Sequence, residues 1–315
     1  MEYLNFCEKV KQQLLQLVED TTTVRIQKVL KNNNVVRYAA IITEENCKIS
    51  PSIYLENFYS DYINGKTLSD ICSEIISMHK KYKGGIDFDI DNYFDYNFVK
   101  DKLYLKIINK AKNKEFLQNV PYREFCDLAL IVYIALEEAC NGQATIVVNN
   151  KNLEMWNVTK EQVFDTAYLN AYESTPPKLE KISTIIRELL REKCFDMCDD
   201  ETEEQIDRIV ELMEMNNDKG MYVLTNSIKL NGAYYIMFEE YLKVFADSID
   251  SDLFILPSSI HEILLVPMDC GVSKEELEKM VCSINNSELS PSEVLSDNVY
   301  EFYRETGFKG VDVVN

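Results

Sequence analysis

The stretch from residue 222 to residue 267 most constrains the fold, because short apolar runs alternate there with one amphipathic segment and one polar cluster. Its predicted order is strand, strand, helix, strand, strand, over residues 222–226, 233–238, 239–249, 253–256 and 263–266. Asn231-Gly232 is a favourable turn pair between the first two runs. The polar cluster, residues 257–262, separates the last two runs, so this part of the chain is predicted to contribute several strands to the fold.

The first 85 residues predict a helix followed by a β-hairpin. Apolar residues recur every three or four positions over residues 2–20, which favours an amphipathic helix. The runs 23–30 and 35–43 are rich in β-branched residues, and the three asparagines between them suit a turn. A short extended segment at 49–55 and two helices between 56 and 83 complete this unit, with His79 on the apolar stripe of the second helix.

The middle of the chain contains a continuous apolar run from Leu128 to Leu136. Such a run is buried on both faces, either as a central strand or as a core helix, and its β-branched residues favour the strand. Asn141-Gly142 then predicts a turn into a pairing strand at 144–148, and residues 102–109 are also strand-like.

Helices dominate the next hundred residues. Thr159 and Gln162 form a capping-box pattern, and Thr175-Pro176-Pro177 is a strong breaker. Further helices are predicted from Leu179 to Leu190, over the acidic segment 196–218, at 273–287 and within 291–304, and the last of these stretches also has room for a strand. We therefore predict an α+β (mixed α/β) fold with antiparallel or mixed sheets and packed helices, divided into an N-terminal region, 1–85, and a larger region, 86–315.

Charge and cysteine content limit the partners and the compartment. The net charge of −20 opposes binding to nucleic acid or anionic lipid, whereas the acidic segment 196–214 suits a basic protein partner. The N-terminus lacks the apolar core of a signal peptide, and no apolar run is long enough to cross a bilayer. The nine cysteines include no CxxC pair. We expect a cytoplasmic protein without a membrane span, a metal site or a cofactor.

Six landmarks in this order resemble a known family: ISPSIYLENFY, PYREFCDLALIVY, the helix start at Trp156 to Thr159, VLTN with NGA, DLFILPSSIHEILLVP and SPSEVLSDNVYEF. The chain resembles uncharacterised proteins of clostridia and related Firmicutes that are often encoded near mobile genetic elements. The resemblance extends over nearly the whole chain. It implies a self-standing protein and no particular activity.

The polar cluster supplies one catalytic hypothesis. The P-loop, GxGxxG, HExxH and GxSxG motifs are all absent, and the acidic run after Ile86 fails the glycine and glutamate positions of an EF-hand. Ser258 or Ser259 would be the nucleophile and His261 the base, with Glu262 or Asp252 orienting the imidazole. Thr225 and Asn226 would line the same pocket. The alternative is a structural turn, in which the same side chains hydrogen-bond to the local backbone.

Two functions follow from these observations. The first is a protein-interaction or regulatory accessory protein that binds a basic partner through residues 196–214. The second is a hydrolase-type enzyme that uses Ser259 and His261 beside Thr225 and Asn226.

Overall fold

The computed structural model describes residues 2–45, 50–82, 90–139, 142–193, 205–208, 210–211, 220–257 and 259–309. Within them the chain forms three antiparallel sheets with packed helices, which confirms the predicted α+β class. The described helices are α1 (Tyr3–Leu17), α2 (Glu56–Ile63), α3 (Leu68–Tyr82), α4 (Tyr96–Val99), α5 (Lys114–Leu117), α6 (Asn150–Trp156), α7 (Lys160–Ser174), α8 (Ile182–Lys193), α9 (Glu239–Ser248) and α10 (Lys274–Ser287). The described strands are β1 (Thr23–Leu30), β2 (Val36–Thr43), β3 (Ser52–Tyr54), β4 (Leu103–Asn109), β5 (Tyr122–Phe125), β6 (Leu128–Ala139), β7 (Gly142–Val147), β8 (Pro177–Lys181), β9 (Tyr222–Asn226), β10 (Leu253–Leu256), β11 (Ile263–Pro267), β12 (Tyr300–Tyr303) and β13 (Gly307–Phe308).

The first sheet has the order β1-β2-β3 and belongs to the N-terminal region. The predicted hairpin is confirmed, and Asn33 and Asn34 at its tip have φ angles of 60° and 57°, a conformation that asparagine tolerates well. The apolar faces of α1, α2 and α3 pack on this sheet and share one hydrophobic cluster with it. This arrangement confirms the predicted helix, hairpin and helices; the domain division near residue 85 stays a prediction.

The second sheet is built around β6, which pairs with β4 on one side and with β5 and β7 on the other. The predicted central strand is therefore confirmed. Alternate residues of β6 enter two different hydrophobic clusters: Leu130 and Val132 face the main core, and Ala129 and Ile131 face a smaller one. Burial on both faces explains why this strand has no polar alternation.

The third sheet has the order β13-β12-β10-β11-β9-β8 and contains the strands predicted at 222–226, 253–256 and 263–266. The strand predicted at 233–238 is wrong, because residues Gly232–Met237 form a 3-10 helix. The Tyr235 hydroxyl donates to the Thr175 carbonyl at 2.7 Å, and the Tyr234 hydroxyl lies 2.9 Å from Thr175 Oγ1. Both rings must reach the C-terminus of α7, whereas successive side chains of a strand point to opposite faces.

Two further boundaries differ from the sequence prediction. Leu179 was predicted to begin a helix, but it lies in β8 opposite Leu224, and α8 begins only at Ile182. The Pro176-Pro177 pair favours extended backbone and lets the chain continue as an edge strand. The short helix predicted within 291–304 is wrong as well, since the described residues there form a turn, a bridge and β12, whereas β12 agrees with the strand that the same stretch allowed.

The acidic segment predicted as a helix over 196–218 lies mostly outside the described residues. Residues 205–208 and 210–211 are helical, and Ile206 and Val210 are buried. Among the helices that the structure describes, none has both the length and the apolar composition needed to cross a membrane.

The tip of the β1–β2 hairpin contacts the later part of the chain. Asn33 Nδ2 donates to the carbonyls of Pro291 and Val294 at 2.9 and 2.6 Å, and the Asn33 N–H donates to Asn113 Oδ1 at 2.9 Å. Asn32 Nδ2 adds a bond to the Ser292 carbonyl at 2.8 Å. These contacts bring the hairpin beside the polar cluster of the third sheet.

Candidate functional site

The predicted site lies in the connection between β10 and β11, residues 257–262. Backbone hydrogen bonds hold this connection from both sides. The Ile260 N–H donates to the Glu293 carbonyl at 2.9 Å, and the Ser296 N–H donates to the Pro257 carbonyl at 2.9 Å. On the other side the Ala233 N–H donates to the Ile260 carbonyl at 3.3 Å. The connection is therefore a backbone element fixed between the 291–296 loop and the 3-10 helix.

Ser259, the predicted nucleophile, is 4% exposed, and its Oγ accepts a hydrogen bond from the His261 N–H at 3.0 Å. This is the short-range pattern by which a serine hydroxyl stabilises a turn. Ser259 and His261 are thus brought together through the hydroxyl and the backbone, with no hydrogen bond between the hydroxyl and the imidazole. Ser258, the other predicted nucleophile, lies outside the described residues.

The backbone N–H of Asn231 orients the imidazole of His261. His261 Nδ1 accepts a hydrogen bond from the Asn231 N–H at 3.1 Å. The neutral ring must then carry its proton on Nε2. Burial lowers the pKa of His261, Glu293 raises it and Lys106 lowers it further. A neutral imidazole with a proton on Nε2 can donate to a ligand, but a base acting on a serine needs a free lone pair on that nitrogen.

The two predicted binding residues, Thr225 and Asn226, lie at the end of β9 beside the connection. Thr225 Oγ1 donates to the His261 carbonyl at 2.7 Å. The Asn226 side chain closes the following loop, since its Nδ2 donates to the Leu230 carbonyl at 2.8 Å and its Oδ1 accepts from the Leu230 N–H at 3.0 Å. Both residues are buried, and their side chains stabilise the backbone around His261.

Gly232 packs closely against Thr225, Asn226 and the backbone of His261. A Cβ atom at this position would lie 2.4 Å from Thr225 Oγ1, 2.5 Å from the Asn226 nitrogen and 2.9 Å from the His261 carbonyl oxygen. The Asn-Gly pair that predicted a turn therefore serves a close approach between backbones. The predicted residues converge, but packed main chain fills the space between Thr225, Asn226 and the His261 carbonyl.

The two predicted orienting acids, Asp252 and Glu262, form no ion pair with the imidazole within the described residues. Asp252 Oδ1 accepts from the Arg304 N–H at 2.9 Å and therefore stabilises the start of β10 against the end of β12. Burial raises the pKa of Glu262, and Lys229 lowers it. No hydrogen bond joins either carboxylate to His261 within the described residues.

Lys106 is the residue that the sequence analysis missed. It lies in β4 opposite Ile131 and on the same face as Tyr104, whose ring stacks with that of Tyr133. The pKa of Lys106 is lowered to about 8, mainly by burial and in smaller part by the charge of Lys31, while Glu293 acts in the opposite direction. A partly buried amine with a perturbed pKa beside a histidine is typical of functional sites. The available signal was a lysine in the middle of an otherwise apolar strand.

We refer to Lys31, Lys106, His261 and Glu293 as the Lys106 cluster. Its members come from the hairpin tip, from β4, from the β10–β11 connection and from the 291–296 loop. Tyr133 links β6 to this cluster, because Asn231 Nδ2 approaches its hydroxyl at 3.4 Å. The chemistry available here is hydrogen-bond donation and positive charge.

A model of a family described as a family of unknown function, DUF5688, matches residues 3–304. No curated protein and no solved structure matches the chain.

Proposed function

The chain belongs to the family of unknown function DUF5688, and we propose that it is a non-catalytic interaction or regulatory protein that binds a basic protein partner. Support comes from the commitment of Ser259 and His261 to the backbone of the β10–β11 connection. The tautomer of His261 favours a donor over a base, so no observation favours the hydrolase alternative.

The partner contact that we propose is the acidic segment 196–214. It contains nine carboxylates and a single basic residue, Arg208. Such a charge density favours fast, salt-sensitive association with a basic surface. A location in the cytoplasm and a source in clostridia or other Firmicutes, near mobile genetic elements, are part of the same proposal.

Affinity capture from native lysate with quantitative mass spectrometry tests the proposal. The test variant replaces five acids of the segment by their amides: Asp199, Asp200, Glu201, Glu203 and Glu204. The control variant replaces five exposed glutamates elsewhere, which have no partner within the described residues: Glu8, Glu115, Glu173, Glu275 and Glu288. Both variants have the same net charge, so the comparison separates the segment from total charge.

We expect one stoichiometric basic partner with the wild type and the control variant, and its loss with the test variant or at high salt. Equal capture by the two variants would contradict the role of the segment. Absence of any partner across all conditions would contradict the interaction function itself.

A further inference from the structure

The Lys106 cluster gathers two lysines and a histidine without pairing them to a carboxylate. Within the described residues, the ammonium groups of Lys31 and Lys106 form no ion pair. Glu293 raises the pKa of both Lys106 and His261 but forms no ion pair with either of them. All these side chains are half-buried. The folded chain therefore holds positive charge partly shielded from water, and that arrangement costs free energy unless an anion is present.

The positions of these groups are fixed by independent contacts. Asn32 and Asn33 bind the 291–294 backbone and place Lys31 there, and the Lys31 ammonium lies 4.4 Å from the centre of the Tyr54 ring. The Ile260 N–H binds the Glu293 carbonyl, and the Asn231 N–H holds the His261 ring. A preorganised set of donors needs little rearrangement to bind a ligand.

Two of the donor atoms are open to a ligand. His261 Nε2 and Lys106 Nζ form no hydrogen bond in the described part of the chain, and neither atom is sealed from solvent. The imidazole offers an N–H at Nε2, because Nδ1 already accepts from Asn231. An ammonium and an imidazole N–H together suit the oxygens of a carboxylate or a phosphate.

We propose that Lys106, His261 and Lys31 form a binding site for the oxyanion group of a small molecule, a carboxylate or a phosphate. Lys106 and Lys31 supply the charge, and His261 Nε2 supplies a directed hydrogen bond. Glu293 limits the net charge of the site, which favours one oxyanion group over a polyanion.

The test uses the full-length protein and follows backbone amides in two-dimensional ¹H–¹⁵N spectra during titration with inorganic phosphate, sulfate or acetate. Sodium chloride at the same ionic strength is the reference. We expect saturable shifts around residues 31, 106, 231 and 261 with an oxyanion and not with chloride. Shifts identical to those in chloride would overturn the proposal, and a preference for acetate or for phosphate identifies the ligand class.

Matched variants distinguish oxyanion binding at this site from a general effect of salt on the charges of the protein. Lys106→Met should weaken oxyanion binding by about tenfold or more, as expected for a charged hydrogen bond. His261→Asn keeps an acceptor for the Asn231 N–H and removes the Nε2 donor, so it should also weaken binding. Lys279→Met, at an exposed lysine of α10, should leave it unchanged. Equal binding by all three variants would refute the assignment.

A pH titration gives a readout that does not depend on how well Lys106→Met folds. Sulfate keeps its charge between pH 7 and pH 9, whereas the Lys106 ammonium, with its pKa lowered to about 8, loses its proton over that range. Sulfate affinity of the wild type should fall as the pH rises, and Lys106→Arg should retain its affinity. An unchanged wild-type affinity at pH 9 would exclude Lys106 from the site.

Discussion

His261 combines a structural hydrogen bond at Nδ1 with an Nε2 donor that has no partner in the part of the chain that the structure describes. His261→Ala leaves the Asn231 N–H without an acceptor and should lower the free energy of unfolding by about 1–3 kcal/mol. His261→Asn offers a replacement oxygen and should cost less. Urea denaturation at pH 7.5 measures both, and equal losses would show that the Asn231 bond contributes nothing.

The same residue predicts a pH dependence of stability. Burial lowers the pKa of His261 below its ordinary value of 6.5, so the unfolded chain binds the proton more readily than the folded chain. The contribution to stability is therefore complete above pH 6.5 and is lost as the pH falls through the folded-state pKa. The stability advantage of the wild type over His261→Asn should shrink on acidification from pH 7.5, and a constant difference would contradict the shift.

Replacing Lys106 should stabilise the protein, whereas replacing His261 should destabilise it. Its pKa of about 8 lies below the ordinary lysine value of 10.5, so the charged amine destabilises the fold at neutral pH and the penalty disappears as the pH rises above 8 towards 10.5. Lys106→Met should therefore stabilise the protein at pH 7 by on the order of 1–3 kcal/mol. Thermal unfolding at pH 7 and pH 10 checks this, and a destabilised variant at pH 7 would refute it.

For single residues, the sequence predicts where a side chain lies in the fold better than it predicts the chemical role of that side chain. Thr225 and His261 meet because β9 pairs with β11, and that pairing follows from two visible apolar runs. The tautomer of His261 depends on the backbone of Asn231, and the pKa of Lys106 depends on Lys31 and Glu293. These partners are distant in the sequence, so no local pattern could reveal them.

At the scale of secondary-structure elements, the 3-10 helix at Gly232–Met237 replaces the strand predicted at 233–238, and the reason can be tested by mutation. Tyr235→Phe removes the hydroxyl that donates to the Thr175 and Ala171 carbonyls at 2.7 and 3.2 Å. These carbonyls lie at the end of α7 and would lose a buried partner, so the cost should be about 1–3 kcal/mol. Tyr241→Phe is the matched control, because within the described residues its hydroxyl forms no hydrogen bond.

Chemical denaturation measures the free energy of unfolding of both variants. A loss for Tyr235→Phe no larger than the loss for Tyr241→Phe would contradict the role of the Tyr235 hydroxyl.

The hydrophobic pattern of residues 233–238 is compatible with a strand. Only the hydrogen bonds of the Tyr234 and Tyr235 hydroxyls to Thr175 exclude a strand there. By contrast β6 and the β1–β2 hairpin were predictable, because burial on both faces and a turn of asparagines are local properties of the sequence.

At the scale of the whole molecule, Asn32 and Asn33 at the tip of the β1–β2 hairpin connect the first sheet to the 291–296 loop beside the Lys106 cluster. Asn33→Gly preserves the positive φ of 60° and removes the amide that binds Pro291, Val294 and Asn113. Because three side-chain hydrogen bonds are lost while the turn is kept, we expect faster hydrogen exchange in β1, β2 and the 291–296 loop, with β6 unchanged.

Asn34→Gly is the control for this experiment, since Asn34 has a φ of 57° at the exposed side of the same turn and no hydrogen bond of its side chain within the described chain. It should leave the exchange rates as in the wild type. If Asn33→Gly also accelerates exchange in β6, the chain unfolds as one cooperative unit and the predicted division near residue 85 is incorrect. If exchange accelerates in β1, β2 and the 291–296 loop while β6 stays as in the wild type, the two regions have separate stabilities and the hairpin tip couples the first sheet to the 291–296 loop.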